Sequence, residues 1–208
     1  MADLGALTEA VKKGNRAEAV RITKEAVGQN MPPKQVLDAM VSAMDEVGQR
    51  FQRNEAFVPE MLIAARAMKE GMAVLEPVLV KAGIKPLLTA VVGTVQGDLH
   101  DIGKNLVAMM WKGANFAVVD LGSNVAPEKF VAAAKEHGAQ VIGLSSLLTT
   151  TMPAMKQTVA ALKEAGVKAK VVIGGAPITA EFAKEIGADG FAPDAASAVE
   201  LVRKLVAA

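Results

Sequence analysis

The amino-acid sequence predicts an α/β protein in two parts, a four-helix bundle over residues 1–85 and a doubly wound parallel sheet over residues 86–208. Two patterns predict this fold class. Up to about residue 83, apolar residues recur every three or four positions and β-branched runs are absent, which indicates amphipathic helices. Beyond residue 86, β-prone runs alternate with helical segments, which indicates a parallel sheet covered by helices. Gly83 and Pro86 interrupt the helical pattern, so we place the domain boundary there.

Local signals place the helices of the first part. Asn15, followed three positions later by Glu18, is typical of a helix start. Pro33 is tolerated in the first turn of the next helix, and Pro59 can begin a further one that runs toward Lys81. A short four-helix bundle accounts for these segments.

The second part is predicted as alternating strands and helices. Strands are expected at 88–94, 116–120, 141–145, 171–173 and near 190–191, and helices at 102–112, 127–137, 152–165, 179–186 and from 195 onward. Parallel sheets of this kind bind ligands beyond the carboxyl ends of their strands. The loops that follow the strands are therefore the place to look for chemistry.

Composition narrows the function. Twenty-three basic and twenty-two acidic residues give a net charge of +1, and no basic stripe is interleaved with aromatic residues, so nucleic acid is not an expected partner. The chain has no cysteine, which excludes a thiolate metal site and is compatible with the cytoplasm, where we expect the protein. Neither a signal pattern nor an apolar run long enough to span a membrane is present.

The loop after the first predicted strand, residues 97–104, contains the best candidate metal ligand. Its two glycines, Gly97 and Gly103, permit close approach of a flat ligand. His100 can bind a metal through one ring nitrogen while Asp98 accepts the proton of the other, which fixes the tautomer. The alternative is a glycine-rich turn with a solvated histidine. Lys104 is expected on a solvated face.

Two further loops carry recognisable groups. The third strand ends in five hydroxyl residues, which suit a polar nucleotide tail or a carboxylate; they are Ser145, Ser146, Thr149, Thr150 and Thr151. Helix capping explains Thr151, which precedes Met152, whereas the other four need another reason. After the fourth strand, Gly174 and Gly175 either leave room for an inserted group or allow a sharp turn.

In order, these motifs resemble the signature of cobalamin-binding domains of the methionine synthase type. The matching residues are Asp98, His100 and Gly103, then Ser145 and Leu147, then Gly174 and Gly175. The resemblance implies a flavodoxin-like Rossmann fold for the second part and a helical cap domain for the first. It covers nearly the whole chain, which is most similar to the small corrinoid proteins of methanol, methylamine and aryl-ether O-demethylase systems.

The resemblance also implies the cofactor and its ligands. The cofactor would be cobalamin or a related corrinoid, with a methyl group on cobalt in its charged state. It would bind with its own lower base displaced, His100 as the lower cobalt ligand, Asp98 bonded to His100, and the Thr151 hydroxyl extending this relay. Further cofactor contacts would come from Gly97, Asp101, Ile102, Gly103, Ser145, Leu147, Thr149, Gly174 and Gly175.

In the helical part, the segment 51–60 resembles the part of the cap that covers the methyl face of the corrin. Phe51 and Val58 match the shielding positions, where apolar side chains keep water off cobalt. The alternative is that both residues are ordinary bundle core.

The function implied is that of a methyl carrier rather than a stand-alone catalyst. It would shuttle methyl groups between a methyl-donor methyltransferase and an acceptor methyltransferase that uses tetrahydrofolate or a thiol, with a reductive activase as third partner. Aryl methyl ethers are weakly favoured as the methyl source over methylamines or methanol.

Three alternatives stay open. A B12-dependent regulatory or sensor module would use the same two parts, although it usually carries an output segment. A phosphoacceptor receiver domain needs an aspartate at the end of the third strand, where this chain has Ser145. A flavin-binding protein would leave His100 and the helical part unexplained.

Overall fold

The structure is a computed structural model that describes residues 2–207. It divides into two compact units. The first, which we call the helical unit, comprises the chain up to Pro86 together with Gly113–Asn115. The second, the α/β unit, comprises Leu87–Lys112 and the chain from Phe116 onward.

Within the described residues, the helical unit contains four helices: α1 Leu4–Lys12, α2 Arg16–Gly28, α3 Pro33–Gln52 and α4 Val58–Lys81. They begin where local chemistry predicts. Asn15 Oδ1 accepts the N–H of Glu18 at 3.2 Å ahead of α2, and Pro33 is the first residue of α3. The centre of the unit is aliphatic and rich in methionine, with fully buried Leu7, Ile22, Met40, Met44, Met61 and Leu75.

The α/β unit alternates strands and helices as predicted. Its elements are β1 Thr89–Thr94, α5 Ile102–Gly113, β2 Ala117–Asp120, α6 Pro127–Glu136, β3 Val141–Ser145, α7 Met152–Glu164, β4 Lys170–Gly174, α8 Ala180–Ile186, β5 Gly190–Phe191 and α9 Ala195–Ala207. A 3-10 turn, Thr149–Thr151, precedes α7. Among the described residues, no helix is both long and apolar enough to cross a membrane.

All strand pairs are parallel, in the order β2-β1-β3-β4-β5. This is the flavodoxin-like order, and the predicted fold class is confirmed. The last residues of three neighbouring strands lie side by side, since Thr94 pairs with Ser145 and Ser145 pairs with Gly174. The order reverses between β1 and β3. The loops after these two strands therefore open next to each other, at the edge where such sheets bind ligands.

Large side chains of two helices pack against glycines of the sheet. Trp111 of α5 is fully buried beside Gly143 of β3, where a β-carbon would lie 2.7 Å from the indole ring. Phe130 of α6 fits against Gly93 of β1 in the same way. These two glycines let α5 and α6 approach the strands closely, which fixes where the loops between strand and helix begin.

Candidate corrinoid site at the ends of strands β1, β3 and β4

Asp98 is the centre of the site. It follows β1, is fully buried, and its two carboxylate oxygens accept hydrogen bonds from two different loops. Oδ1 accepts the main-chain N–H of His100 at 3.0 Å. Oδ2 accepts the N–H of Leu147 at 2.7 Å and that of Leu148 at 3.3 Å. The carboxylate thus joins the loop after β1 to the loop after β3.

His100 is held by the same carboxylate. Its Nδ1 lies 2.8 Å from Asp98 Oδ1, and its side chain is 50% exposed. An ionised carboxylate accepts but cannot donate, so Nδ1 carries a proton, and in the neutral imidazole Nε2 then presents its lone pair. A neutral imidazole with this tautomer is ready to bind a metal ion through Nε2.

The charge on Asp98 is stabilised despite burial. Burial is the largest single influence and raises the pKa of Asp98. The main-chain N–H groups of His100 and Leu147 oppose it, as do the side chains of His100 and Thr151, and together they hold this pKa well below its usual range. Asp98 is therefore a carboxylate at neutral pH, as the orientation of His100 requires.

Thr151 does not cap α7 as predicted. Its side chain makes no cap hydrogen bond, although the residue stands at the N-cap position. Instead, Thr151 Oγ1 lies 2.9 Å from Asp98 Oδ2 and also 2.9 Å from the carbonyl oxygen of Leu148. The capping interpretation is wrong because the Thr151 backbone is helical, with φ −103° and ψ −5°, whereas a residue whose side chain caps a helix has an extended backbone. The Thr151 hydroxyl therefore contacts Asp98, and its role in a relay to a metal stays a prediction.

The sequence reasoning named Ser146 in the hydroxyl cluster but gave it no role at the Asp98–His100 pair. It is fully buried, and its Oγ lies 2.7 Å from Thr151 Oγ1 and 3.5 Å from Asp98 Oδ2. The available signal was its position, one residue beyond β3 at the edge where ligands bind, within the hydroxyl cluster that capping could not explain.

The loop after β2 holds the His100 loop through hydrogen bonds of Asn124. Gly97 has φ +85° and donates its N–H to Asn124 Oδ1 at 2.8 Å, while the N–H of Asn124 donates to the carbonyl oxygen of Asp98 at 2.9 Å. Thr94 Oγ1 donates to the carbonyl oxygen of His100 at 3.0 Å. Asn124 has a left-handed φ of +54°, for which asparagine is well suited. Sequence reasoning did not identify this contact.

Gly174 and Gly175 make room for Ser146. The N–H of Ser146 donates to the carbonyl oxygen of Gly174 at 3.2 Å, and a β-carbon at Gly175 would overlap the carbonyl oxygen of Ser146. Gly175 has φ +133°, a conformation that other residues rarely adopt. The pair therefore allows β4 to approach the loop after β3 closely.

Lys104 is buried, so the expectation of a solvated face is wrong. Its side chain is 3% exposed, and Nζ lies 2.6 Å from both carboxylate oxygens of Asp120 and 2.7 Å from Asn105 Oδ1. Asp120 also accepts the N–H of Gly122 at 2.9 Å. The charge of Lys104 is neutralised at the end of β2, and the pair ties α5 to the loop that contains Asn124.

The remaining predicted residues lie in three places. Asp101, Ile102 and Gly103 are exposed at the start of α5, Ser145 ends β3, and Leu147 and Thr149 are exposed beyond it. Phe51 and Val58 lie in the helical unit and are half-buried. Their shielding role stays a prediction.

The residues around His100 fit a flat, largely apolar ligand that holds a metal. His100 offers one ring nitrogen, which suits a metal whose other ligands belong to a macrocycle. Its neighbours Leu99 and Ile102 are 72% and 76% exposed, so both present apolar surface beside the candidate metal ligand. Leu147 and Leu148 are exposed in the adjacent loop.

Comparison with known proteins gives the family. The family described as B12 binding domain matches residues 88–202, and a second family of the same description matches residues 4–76. A corrinoid protein of Desulfitobacterium hafniense is 39% identical, and the alignment covers 99% of this chain and 98% of the relative. A dimethylamine corrinoid protein of Methanosarcina barkeri is 38% identical, with 97% and 96% covered.

Solved structures agree with this assignment. A cobalamin-binding protein from Desulfitobacterium hafniense has a TM-score of 0.81 at 30% identity, with 98% of each chain covered. A methanol:cobalamin methyltransferase complex from Methanosarcina barkeri has a TM-score of 0.85 at 28% identity, covering 97% of this chain and 78% of the other. The resemblance inferred from the sequence is confirmed: the chain belongs to the B12-binding corrinoid proteins, and its cofactor is cobalamin or a related corrinoid.

Proposed function

We propose that this chain is a methyl carrier that binds its corrinoid with the lower base displaced, takes His100 as the lower cobalt ligand, and serves partner methyltransferases. When bound, the corrinoid supplies a cobalt centre that accepts and releases a methyl group. The observation that carries the proposal is the 2.8 Å contact between His100 Nδ1 and the buried, ionised Asp98, which leaves Nε2 to bind the metal.

Each residue of the relay has a separate task. Asp98 fixes the tautomer and the direction of the imidazole, and its negative charge makes His100 a better electron donor to the metal. Thr151 donates to Asp98 Oδ2 and holds the carboxylate from the side opposite His100. The N–H groups of Leu147 and Leu148 neutralise part of the charge without any mobile proton.

We further propose that the cofactor's nucleotide tail lies along the carboxyl edge of β1, β3 and β4. Ser145, Leu147 and Thr149 would line the channel for the tail, and Gly174 and Gly175 would lie near its buried base. Gly97, Asp101, Ile102 and Gly103 would make further contacts with the cofactor. Support comes from their common position at the edge where sheets of this order bind ligands. Residues 86–208 would form the cobalamin-binding domain and residues 1–85 the cap, in which Phe51 and Val58 would exclude water from the methyl face.

The proposed partners are a methyl-donor methyltransferase, an acceptor methyltransferase that uses tetrahydrofolate or a thiol, and a reductive activase. Support comes from relatives that are named as dimethylamine corrinoid proteins, and from the structural relative that is part of a methanol:cobalamin methyltransferase complex. The methyl donor would bind to the partner, so we propose the carrier role without choosing among methylamines, methanol and aryl methyl ethers.

The first experiment is a visible spectrum of the purified chain after incubation with hydroxocobalamin and removal of free cofactor. His100→Ala is compared with His137→Ala, because these are the two histidines of the chain and His137 lies between α6 and the start of β3, at the edge of the sheet opposite the site. We expect wild type and His137→Ala to share one corrinoid spectrum. His100→Ala should retain less corrinoid or show a spectrum without a nitrogen lower ligand.

Methyl-group transfer is then measured with a partner methyltransferase and loaded wild-type protein. A folded wild-type chain that retains no corrinoid, or identical spectra for His100→Ala and wild type, would contradict the proposal.

A further inference from the structure

Two buried hydroxyl groups share one short contact at the site. Ser146 Oγ and Thr151 Oγ1 lie 2.7 Å apart, and both also face the carbonyl oxygen of Leu148, at 3.2 Å and 2.9 Å. Each hydroxyl has a single hydrogen, so these contacts and the one from Thr151 to Asp98 Oδ2 cannot all be made at once. The strengths of the available acceptors therefore decide the direction in which each hydroxyl hydrogen points.

Four arrangements satisfy the short contact. If Ser146 donates to Thr151, then Thr151 can donate to Asp98 Oδ2 or to the Leu148 carbonyl, both at 2.9 Å. If Thr151 donates to Ser146, then Ser146 can donate to the Leu148 carbonyl at 3.2 Å or to Asp98 Oδ2 at 3.5 Å. Only donation from Thr151 to Asp98 combines a short contact with a charged acceptor, and such a bond is about twice as strong as one to a neutral carbonyl. The arrangement in which Ser146 donates to Thr151 and Thr151 donates to Asp98 therefore prevails.

We propose that Ser146 is a positioning residue, which donates to Thr151 Oγ1 and so keeps the Thr151 hydroxyl directed at Asp98 and the Asp98–His100 pair in place. A hydroxyl that accepts a hydrogen bond becomes a better donor, so Ser146 strengthens the bond from Thr151 to Asp98. This inference rests on the proposed role of His100 as the lower cobalt ligand.

The backbone of Ser146 is fixed well enough for this role. Its N–H donates to the carbonyl oxygen of Gly174, and its carbonyl oxygen is packed against Gly175. Its side chain is fully buried, so water does not compete for its hydroxyl. Of the three acceptors within reach of Ser146 Oγ, Thr151 Oγ1 at 2.7 Å is the nearest, ahead of the Leu148 carbonyl at 3.2 Å and Asp98 Oδ2 at 3.5 Å.

The test measures how firmly the protein nitrogen holds the metal. Each variant is loaded with hydroxocobalamin, and cyanide is added until the visible spectrum shows loss of the lower nitrogen ligand. We expect Ser146→Ala to lower the cyanide concentration for half-displacement about two- to fivefold, on the order of one weakened hydrogen bond. Ser146→Cys, whose thiol is a weak donor, should lie between Ser146→Ala and wild type.

A double-mutant comparison separates positioning from packing. In a Thr151→Val background the relay is already broken, so Ser146→Ala should cause no further change. Thr158→Val is the matched control, because Thr158 is a buried hydroxyl residue of α7 that donates to Ala154 O at 2.8 Å, outside the Asp98 cluster. It should leave the half-displacement concentration unchanged.

The inference is overturned if both Ser146 variants match wild type, or if Ser146→Ala has the same effect with and without the Thr151 hydroxyl. Failure of the proposed function gives a different result. If His100 is not the lower cobalt ligand, the spectra of His100→Ala and wild type would change at the same cyanide concentration.

Discussion

Gly175 lies directly against the carbonyl oxygen of Ser146, so that no side chain can be added at Gly175 without moving the loop after β3. That loop supplies three of the groups that surround Asp98, namely the hydroxyls of Ser146 and Thr151 and the N–H of Leu147. A residue at the end of β4 thus acts on the orientation of His100 through main-chain contact.

We expect Gly175→Ala to lower the free energy of unfolding by about 2 kcal/mol, from a φ of +133° combined with the overlap at Ser146. The same variant should lose the lower nitrogen ligand at lower cyanide concentration than wild type. Urea unfolding and visible spectra measure the two effects. Gly28→Ala at the end of α2 is the control, because a β-carbon there meets nothing within 4 Å. A stable Gly175→Ala protein with wild-type ligation would contradict the contact.

Asp98→Asn should weaken nitrogen ligation about 10- to 100-fold, although it nearly preserves the shape of the side chain. Its amide oxygen is required by the N–H groups of Leu147 and Leu148, so the amide NH2 would face His100 and donate to Nδ1. The imidazole would then carry its proton on Nε2, the atom needed for the metal.

The tautomer is measured directly by nitrogen NMR of the cofactor-free protein, and ligation by the cyanide displacement. Asp38→Asn, which removes an exposed carboxylate of the helical unit, serves as the control. If Asp98→Asn keeps the proton on Nδ1 and loses its nitrogen ligand at the same cyanide concentration as wild type, Asp98 does not set the tautomer of His100.

The two partners of the Lys104–Asp120 pair should differ in what their removal costs. Asp120→Ala leaves the ammonium of Lys104, 3% exposed, with Asn105 as its remaining partner, and we expect a loss of about 3 kcal/mol in the free energy of unfolding. Lys104→Met leaves Asp120, 32% exposed, which water can solvate, so a loss of about 1 kcal/mol is expected. Urea unfolding of both variants checks the order, and equal losses would show that burial of Lys104 does not decide the cost.

Asn124→Gly should loosen the His100 loop without straining the backbone, because glycine also adopts a left-handed φ. The N–H of Gly97 would lose its acceptor, and its exchange with solvent should become faster, with a loss of about 1 kcal/mol in the free energy of unfolding. Asn30→Gly, at a left-handed asparagine of the helical unit, controls for the flexibility that glycine adds. Unchanged exchange at Gly97 would contradict a supporting role for Asn124.

Much of the fold was predictable because its signals are local. Pro33, Asn15 and Gly83 mark ends of segments by their own backbone chemistry, and the strand predicted at 141–145 matches β3. The contact between Asp98 and His100 is local as well, since the two residues are two positions apart. What local patterns could not supply depends on residues distant in sequence: the acceptor of Thr151, which only the family resemblance implied, lies 53 positions away, and Lys104 of α5 pairs with Asp120 at the end of β2. A capping rule or a helical face cannot anticipate such partners.

Trp111 gives the α/β unit its own optical reporter. The chain has one tryptophan and no tyrosine, and this indole is buried on α5, the helix that follows the His100 loop. Ultraviolet fluorescence therefore comes from a single, water-shielded position in the unit that contains the relay. Corrins absorb in the wavelength range in which indole emits, so occupancy of the site is expected to quench this emission by energy transfer. Uptake and release of the cofactor can then be timed in the unlabelled protein, variant by variant.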